Sequence, residues 1–297
     1  MQQANVAKRR TNRGRVQKAK RNRMICIVAA CAFLVLVLFY LGTVLYQYMD
    51  IREQENLRSL YQGKAAGPSF SWIAGAKAEQ EPAAGVPERF AELWEINQDL
   101  IGWIKAGDAV DSPVVYHGDN TYYMNHSFYH KQSASGTIFA DEENAAWETD
   151  PYVILYGHNK SSGTMFGKLN QYRKLDYLKE NPIVEFDTIA SESAQLYVPF
   201  AVFDASMNVG NKNFFYLRRF EDFQKNDVES IRLLLSEVSE RSLFTIPVEV
   251  TEEDRILVLV TCSYDDANGR LMVFCREMRE GESAAEIKEM VAQASAK

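Results

Sequence analysis

Residues 24–46 run for 23 positions without a charged side chain, and this limits the chain more than any other stretch. As a helix the run would span about 35 Å at ~1.5 Å per residue, enough to cross a hydrocarbon layer of about 30 Å with modest tilt. Nine Lys or Arg and no acid occupy residues 1–23. The chain as a whole carries a net charge of −7, so everything after that tail carries −16. Asp50, Glu53 and Glu55 follow the apolar run. Basic flanks stay on the cytoplasmic side. The expectation is a single-pass cell-membrane protein with residues 1–23 as a cytoplasmic tail, 24–46 as the transmembrane helix and the remainder outside the cell. A cleaved secretory signal fits less well, because the run is longer than an ordinary signal core and no small-x-small site closes it. The tail does not make the chain a nucleic-acid binder, since an acidic body repels phosphate.

Beyond the span, residues 47–86 read as an extracellular stalk. Residues 51–61 extend the helical pattern, but 63–86 are rich in Ala, Gly, Pro and Glu and lack the periodic apolar content needed to pack. A folded domain is expected over 87–280. Pro87 suits the first turn of a helix, and Phe90, Leu93 and Trp94 make one apolar face at i, i+3, i+4. Short β-type runs then follow at 101–104, 113–116, 136–140, 152–156, 183–186, 196–203, 255–261 and 270–278, separated by polar turns. Short helices are expected at 165–172 and 175–179, and one long helix at 221–239. Eight short strands suggest a mainly β fold with helices, closed as a barrel or stacked as a sandwich. Residues 281–297 read as a polar helix or tail.

The runs 256–260 and 271–274 flank a polar, Gly-containing turn and predict an antiparallel hairpin. Pairing symmetric about Asp266 sets Cys262 opposite Arg270. A thiol beside a fixed guanidinium suits nucleophilic catalysis, because the cation favours the thiolate and can hold a carbonyl oxygen. A lone Cys near a strand end is nonetheless more often a small buried hydrophobe than a nucleophile. The same register displaces Cys275 from Cys262 by roughly 16 Å along the strand, too far for a disulfide. Cys26 and Cys31 lie in the span, which leaves Cys262 chemically available. Without a disulfide an extracytoplasmic domain depends on a large core, which a hydrophobic content of 46% supplies.

A thiolate also needs a proton partner, and the chain has four histidines. His117, His126 and His130 lie in polar loop sequence that predicts plain surface or hydrogen-bonding roles. His158 follows the apolar run 152–156 and Gly157, where a buried strand opens into a loop; catalytic side chains concentrate at such strand ends. That placement alone leaves a structural role equally open. No His or Cys pair has metal-ligand spacing, and there is no phosphate loop or dinucleotide fingerprint.

Taken together, Tyr156-Gly157-His158-Asn159, Leu259-Val260-Thr261-Cys262 and Arg270 resemble the signature of the sortases, membrane-anchored cysteine transpeptidases of Gram-positive bacteria. The resemblance is closest to class B and covers residues 88–278. It includes Ile101-Gly102-Trp103-Ile104-Lys105, Ser112-Pro113-Val114-Val115, the stretch from Asp119 to His126, Gly136-Thr137-Ile138-Phe139 and Met165-Phe166-Gly167. Val260 departs from it, since class B members often have Ser before the Thr-Cys pair. The resemblance implies a closed eight-stranded β-barrel with an N-terminal helix and a long helix between strands six and seven, here 221–239. It implies Cys262 as nucleophile, His158 as acid and base, and Arg270 as holder of the carbonyl oxygen or oxyanion. Asn125 and Thr261 become candidates for lining the substrate groove. The implied partners are secreted proteins bearing a C-terminal sorting signal, cleaved after Thr, and an amine of a peptidoglycan precursor or a pilin lysine. Some classes bind calcium; this sequence has no dedicated acidic cage, and no cofactor or metal is expected. A non-catalytic, membrane-tethered binding module of the same fold and a thiol hydrolase are the competing readings.

Overall fold

Alternating and continuous apolar runs place eight strands around one closed barrel, in the order β1-β2-β3-β4-β8-β9-β6-β5. The computed structural model describes residues 2–64, 85–263 and 268–297, and the side chains of these except 2–19, 262 and 263. In chain order the strands are β1 (Leu100–Ala106), β2 (Val110–Val115), β3 (Ile138–Ala140), β4 (Tyr152–Gly157), β5 (Val184–Thr188), β6 (Gln195–Ser206), a short outer strand β7 (Phe244–Thr245), β8 (Ile256–Ser263), β9 (Gly269–Glu277) and a second outer strand β10 (Ser295–Ala296). The helices are α1 (Gln2–Tyr61), α2 (Ala91–Ile96), α3 (Leu175–Glu180), α4 (Phe220–Gln224), α5 (Val228–Arg241) and α6 (Ala284–Ala292). Of the expected stalk, residues 65–84 lie outside the described residues.

The barrel is mixed. β2 runs parallel to β3 and β4 parallel to β8, whereas the remaining neighbours are antiparallel. β4, β8 and β9 are buried along nearly their whole length, which is why they read as unbroken apolar runs instead of alternating ones. Part of the outer cover comes from the segment between β6 and β8: the Phe223 ring stacks on Tyr152 at 4.7 Å, and Ile231, Leu234, Leu235 and Val238 of α5 are buried.

The long helix expected at 221–239 is two helices. Asn226 turns the chain with φ at +50°, a conformation that Asn tolerates better than most residues. Asp227 then accepts the Ser230 amide and caps α5, as Asp does at helix starts. The longer piece, α5, still lies between the sixth and seventh barrel strands.

The chain divides into two compact units, 1–50 and 51–297. In the first, Phe33, Leu36 and Phe39 of α1 are exposed. Among the described residues this is the one helix long and apolar enough to cross a membrane, consistent with an anchor. The second unit begins at Ile51, upstream of the Pro87 boundary expected from sequence. Its first residues, assigned to the stalk, are packed: Leu57 and Leu60 are buried with Phe90, Leu93, Trp103, Tyr123 and Phe128 in a second core beside the barrel. Tyr61 stacks on Trp103 at 4.5 Å and donates to Asp187 at 2.6 Å, which Arg89 also grips. Burial and the neighbouring Asp187 carboxylate push the Tyr61 hydroxyl well above its ordinary range. Leu57→Ala in the full-length protein is therefore expected to destabilise the domain by about 2–5 kcal/mol. Chemical denaturation in detergent, followed by near-UV circular dichroism, measures it; a midpoint equal to wild type would remove the end of α1 from the folded unit.

The C-terminal segment, read from sequence as a polar helix or tail, forms the helix α6 and is likewise tied down. Ser283 and Glu286 form a capping box at the start of α6, Ile287 and Val291 are buried, and β10 pairs with β7. Arg276 is 1% exposed and binds Glu282 at 2.6 Å, and these hydrogen bonds hold the Glu282 carboxyl below its ordinary range.

Candidate active site

Two of the three predicted chemical residues, Cys262 and Arg270, are paired on neighbouring strands, and the third, His158, follows directly on β4, the strand on the other side of β8. In the parallel ladder of β4 and β8, Tyr156 lies beside Val260 and Gly157 beside Thr261. His158 and Cys262 each follow this last pair by one residue, His158 just beyond the end of β4 and Cys262 still within β8. In the antiparallel ladder of β8 and β9, Cys262 is the partner of Arg270, as the symmetric hairpin requires, and Leu257 is the partner of Cys275. The turn residues 264–267, including Asp266, lie outside the described residues. Arg270 is half-buried, its Nη1 donates to the Gly269 carbonyl at 2.9 Å, and Ala205 of β6 is its neighbour on the other side.

The loop carrying His158 is held from several directions. A Cβ on Gly157 would come within 2.7 Å of the Phe166 ring, so only glycine lets this ring close over the strand end. The Phe166 amide donates to the His158 carbonyl at 3.0 Å, and Asn159 bridges to Met165. Asn159 is 8% exposed, and its Oδ1 accepts Asn170 Nδ2 at 3.0 Å. Arg173 joins Asn170 to Asp204 of β6, with Nε donating to the Asp204 carboxylate at 3.0 Å. The imidazole itself has a partner: Nε2 lies 2.6 Å from the main-chain oxygen of Met124. A carbonyl oxygen only accepts, so Nε2 carries the proton.

Cys275 is fully buried, and burial pushes its thiol far above the ordinary range, which makes it inert as a nucleophile. Cys26 and Cys31 belong to the apolar part of α1. The remaining cysteine, Cys262, lies on β8 opposite Arg270. A nearby guanidinium favours a thiolate and can also receive negative charge developing on oxygen.

The other site candidates take up different positions. Asn125 is exposed and follows Met124; its carbonyl accepts the Ser133 amide at 2.8 Å. Thr261 is 1% exposed, and its Oγ1 has no hydrogen-bond partner among the described residues. The remaining histidines gather around one tyrosine: the Tyr122 ring stacks on His117 at 4.2 Å and on His126 at 4.1 Å, and its hydroxyl is 3.2 Å from His130 Nδ1. His117 Nδ1 also meets Asp99 at 2.6 Å. These contacts stay within the segment that precedes β3 and its supports. Among the described residues no group of three or more His, Cys, Asp or Glu side chains could hold a metal ion.

On the flank of the site, Arg218 from the β6–α4 connection reaches Asp141 at 3.4 Å, Glu142 at 2.9 Å and Glu143 at 3.0 Å. Burial works against its charge, but the Asp141 and Glu142 carboxylates outweigh burial and hold the proton more firmly than usual. Asp141 is fully buried and accepts the Tyr156 hydroxyl at 2.8 Å. Burial first, and the Asp141 charge second, push that phenol well above its ordinary range. Tyr156 therefore serves as a neutral donor two residues before His158.

Comparison with known proteins gives a consistent set of relatives. A family model described as "Sortase domain" matches residues 105–278, more than half of the chain. Sortase B of Staphylococcus aureus is 29% identical over 257 residues, which cover 86% of this chain and 96% of that protein. Among solved structures, the Staphylococcus aureus sortase B–substrate complex superposes with a TM-score of 0.58 at 25% identity, covering 79% of this chain and 98% of that one. A sortase B complexed with triglycine gives a TM-score of 0.61 at 25% identity, covering 79% and 99%.

Proposed function

The chain belongs to the sortase family, and the relatives it matches are sortase B proteins; from that premise we propose how this transpeptidase works. It cleaves a C-terminal sorting signal after a threonine and transfers the upstream protein to an amine of a peptidoglycan precursor or a pilin lysine. The Cys262 thiolate attacks the threonine carbonyl carbon, and Arg270 receives the negative charge on its oxygen. The carbon–nitrogen bond then breaks, and His158 gives its proton to the departing amine. The thioester that remains is attacked by the acceptor amine. His158 takes up the amine's proton, the new amide forms, and the thiolate is released.

One observation carries this reading: Cys262 on β8 pairs with Arg270 on β9, and the β4–β8 ladder ends at Gly157 beside Thr261, one residue before His158 and Cys262. The relatives caught with substrate and with triglycine favour a peptide donor and an amine acceptor. Asn125 is proposed to border the groove on its exposed side, and Thr261 to support its floor from beneath.

We place the N-terminus in the cytoplasm and the catalytic unit outside, because nine basic residues and no acid precede the apolar run. Secreted substrates pause in the membrane and lipid-linked acceptors lie in the same plane. An anchored enzyme therefore meets both at raised effective concentration.

Full-length protein in detergent, given sorting-signal peptides with and without triglycine, tests the activity. Mass analysis is expected to show the threonine-ended fragment joined to triglycine. A free acid as the main product in the presence of triglycine would make the enzyme a hydrolase, and intact peptides throughout would make it a binding module.

A further inference from the structure

We propose that the main-chain carbonyl of Met124 orients the His158 imidazole, and that Gly136 is the positioning residue that sets this carbonyl. The inference rests on His158 being the acid and base proposed above. A histidine that passes protons at one ring nitrogen needs the other committed to a fixed partner, which selects the tautomer and the ring orientation. The Met124 oxygen, 2.6 Å from Nε2, is such a partner. With Nε2–H given to that oxygen, Nδ1 is the position that exchanges protons with the thiol and the amines. The carbonyl dipole also stabilises the imidazolium that forms when Nδ1 takes a proton.

The carbonyl belongs to a surface segment, since Met124 and Asn125 are both exposed, so its position must be imposed from below. Gly136 does this. Its φ is +62°, and a Cβ there would lie 2.4 Å from the Tyr123 carbonyl oxygen and 3.0 Å from the Met124 carbonyl oxygen. Both approaches are to backbone and cannot be relieved by turning a side chain. Thr137, the next residue, completes the seat: its amide donates to the Tyr123 carbonyl at 2.9 Å and its Oγ1 to the His126 carbonyl at 3.0 Å. The Tyr123 ring is 1% exposed, and its hydroxyl donates to Asp99 at 2.8 Å and accepts from Asn97 at 2.9 Å. The last residues before β3 thus clamp the 122–126 segment to the barrel, at the end where β4 releases His158.

Full-length protein labelled with nitrogen-15 at histidine, in detergent micelles, tests this by proton–nitrogen correlation spectra, with His158→Asn used to assign the signal. At a pH where the ring is neutral, wild type is expected to show His158 as the Nε2–H tautomer alone. Gly136→Ala is expected to mix the tautomers and lower kcat by about 30-fold, with KM within about twofold, since a misplacement near 1 Å costs rates of this order. Thr137→Val removes one hydroxyl without changing shape and should lower kcat by about fivefold, with Thr137→Ser restoring it. If Gly136→Ala does not fold, the Thr137 pair carries the kinetic test. An Nδ1–H tautomer in wild type would overturn the proposal, as would a folded Gly136→Ala, or Thr137→Val, with unchanged tautomer and kcat. A fully active His158→Asn would instead overturn the acid–base reading, and the tautomer in wild type would still stand on its own.

Discussion

Cys262→Ala is expected to lower kcat/KM for transpeptidation by at least about 10,000-fold, as loss of a covalent nucleophile does in enzymes whose catalytic groups act as a unit. The size of the effect follows from the absence of a substitute. Cys275 is sealed in the core with its thiol pushed up by burial, and Cys26 and Cys31 lie in the apolar helix. Water could reach the substrate carbonyl in the empty position, but it would arrive unactivated and would give an acid instead of an amide. The fold should survive, because β8 and β9 pair through main-chain groups from Ile256 to Ser263 and alanine keeps these intact. The measurement is steady-state transpeptidation of a sorting-signal peptide onto triglycine, together with circular dichroism of the variant. Activity within tenfold of wild type would remove Cys262 from the chemistry.

Arg270→Ala is expected to cost about 100- to 1,000-fold, mainly in kcat, since a donor aimed at a developing oxyanion contributes on this scale. Arg270 occupies a strand position between Cys262 and Ala205, so its guanidinium is carried by a ladder and not by a mobile loop. Arg270→Lys is expected to recover little: an ammonium is a point donor and lacks the planar fork that holds an oxygen and a neighbouring group together. Single-turnover kinetics separate the effect on acylation from that on substrate affinity. A fall confined to KM, with kcat preserved, would make Arg270 a binding residue and not a stabiliser of the oxyanion.

Much of this architecture is legible in the chain because the barrel strands are buried on two sides. Residues 152–156, 256–260 and 271–274 are unbroken apolar runs and could hardly be anything but central strands. The hairpin register, with Cys262 facing Arg270 and Leu257 facing Cys275, follows from a symmetric polar turn between two such runs. What escaped is tertiary. Leu57, Leu60 and Tyr61 offer only one short apolar edge, and it acquires meaning only once Trp103 and Phe90 supply the facing surface. The break at Asn226 hides inside a helical pattern, because one left-handed residue followed by a capping Asp barely disturbs the apolar spacing around it.

At the site the same division holds. Cys262, Arg270 and His158 are side chains with recognisable chemistry at strand ends. The partner of His158 is a main-chain carbonyl, which every residue possesses and no sequence pattern marks. Its signal is indirect: a glycine at 136, where the chain needs a positive φ and a close backbone approach.

The most direct test of covalent catalysis at Cys262 is an intact-mass measurement on full-length enzyme in detergent, acid-quenched during turnover of a sorting-signal peptide without an acceptor. The expected result is one covalent adduct equal to the peptide fragment ending at threonine, mapped by digestion to Cys262 and released by hydroxylamine as the hydroxamate. Turnover with no adduct on Cys262, or an adduct on any other residue, would contradict the mechanism.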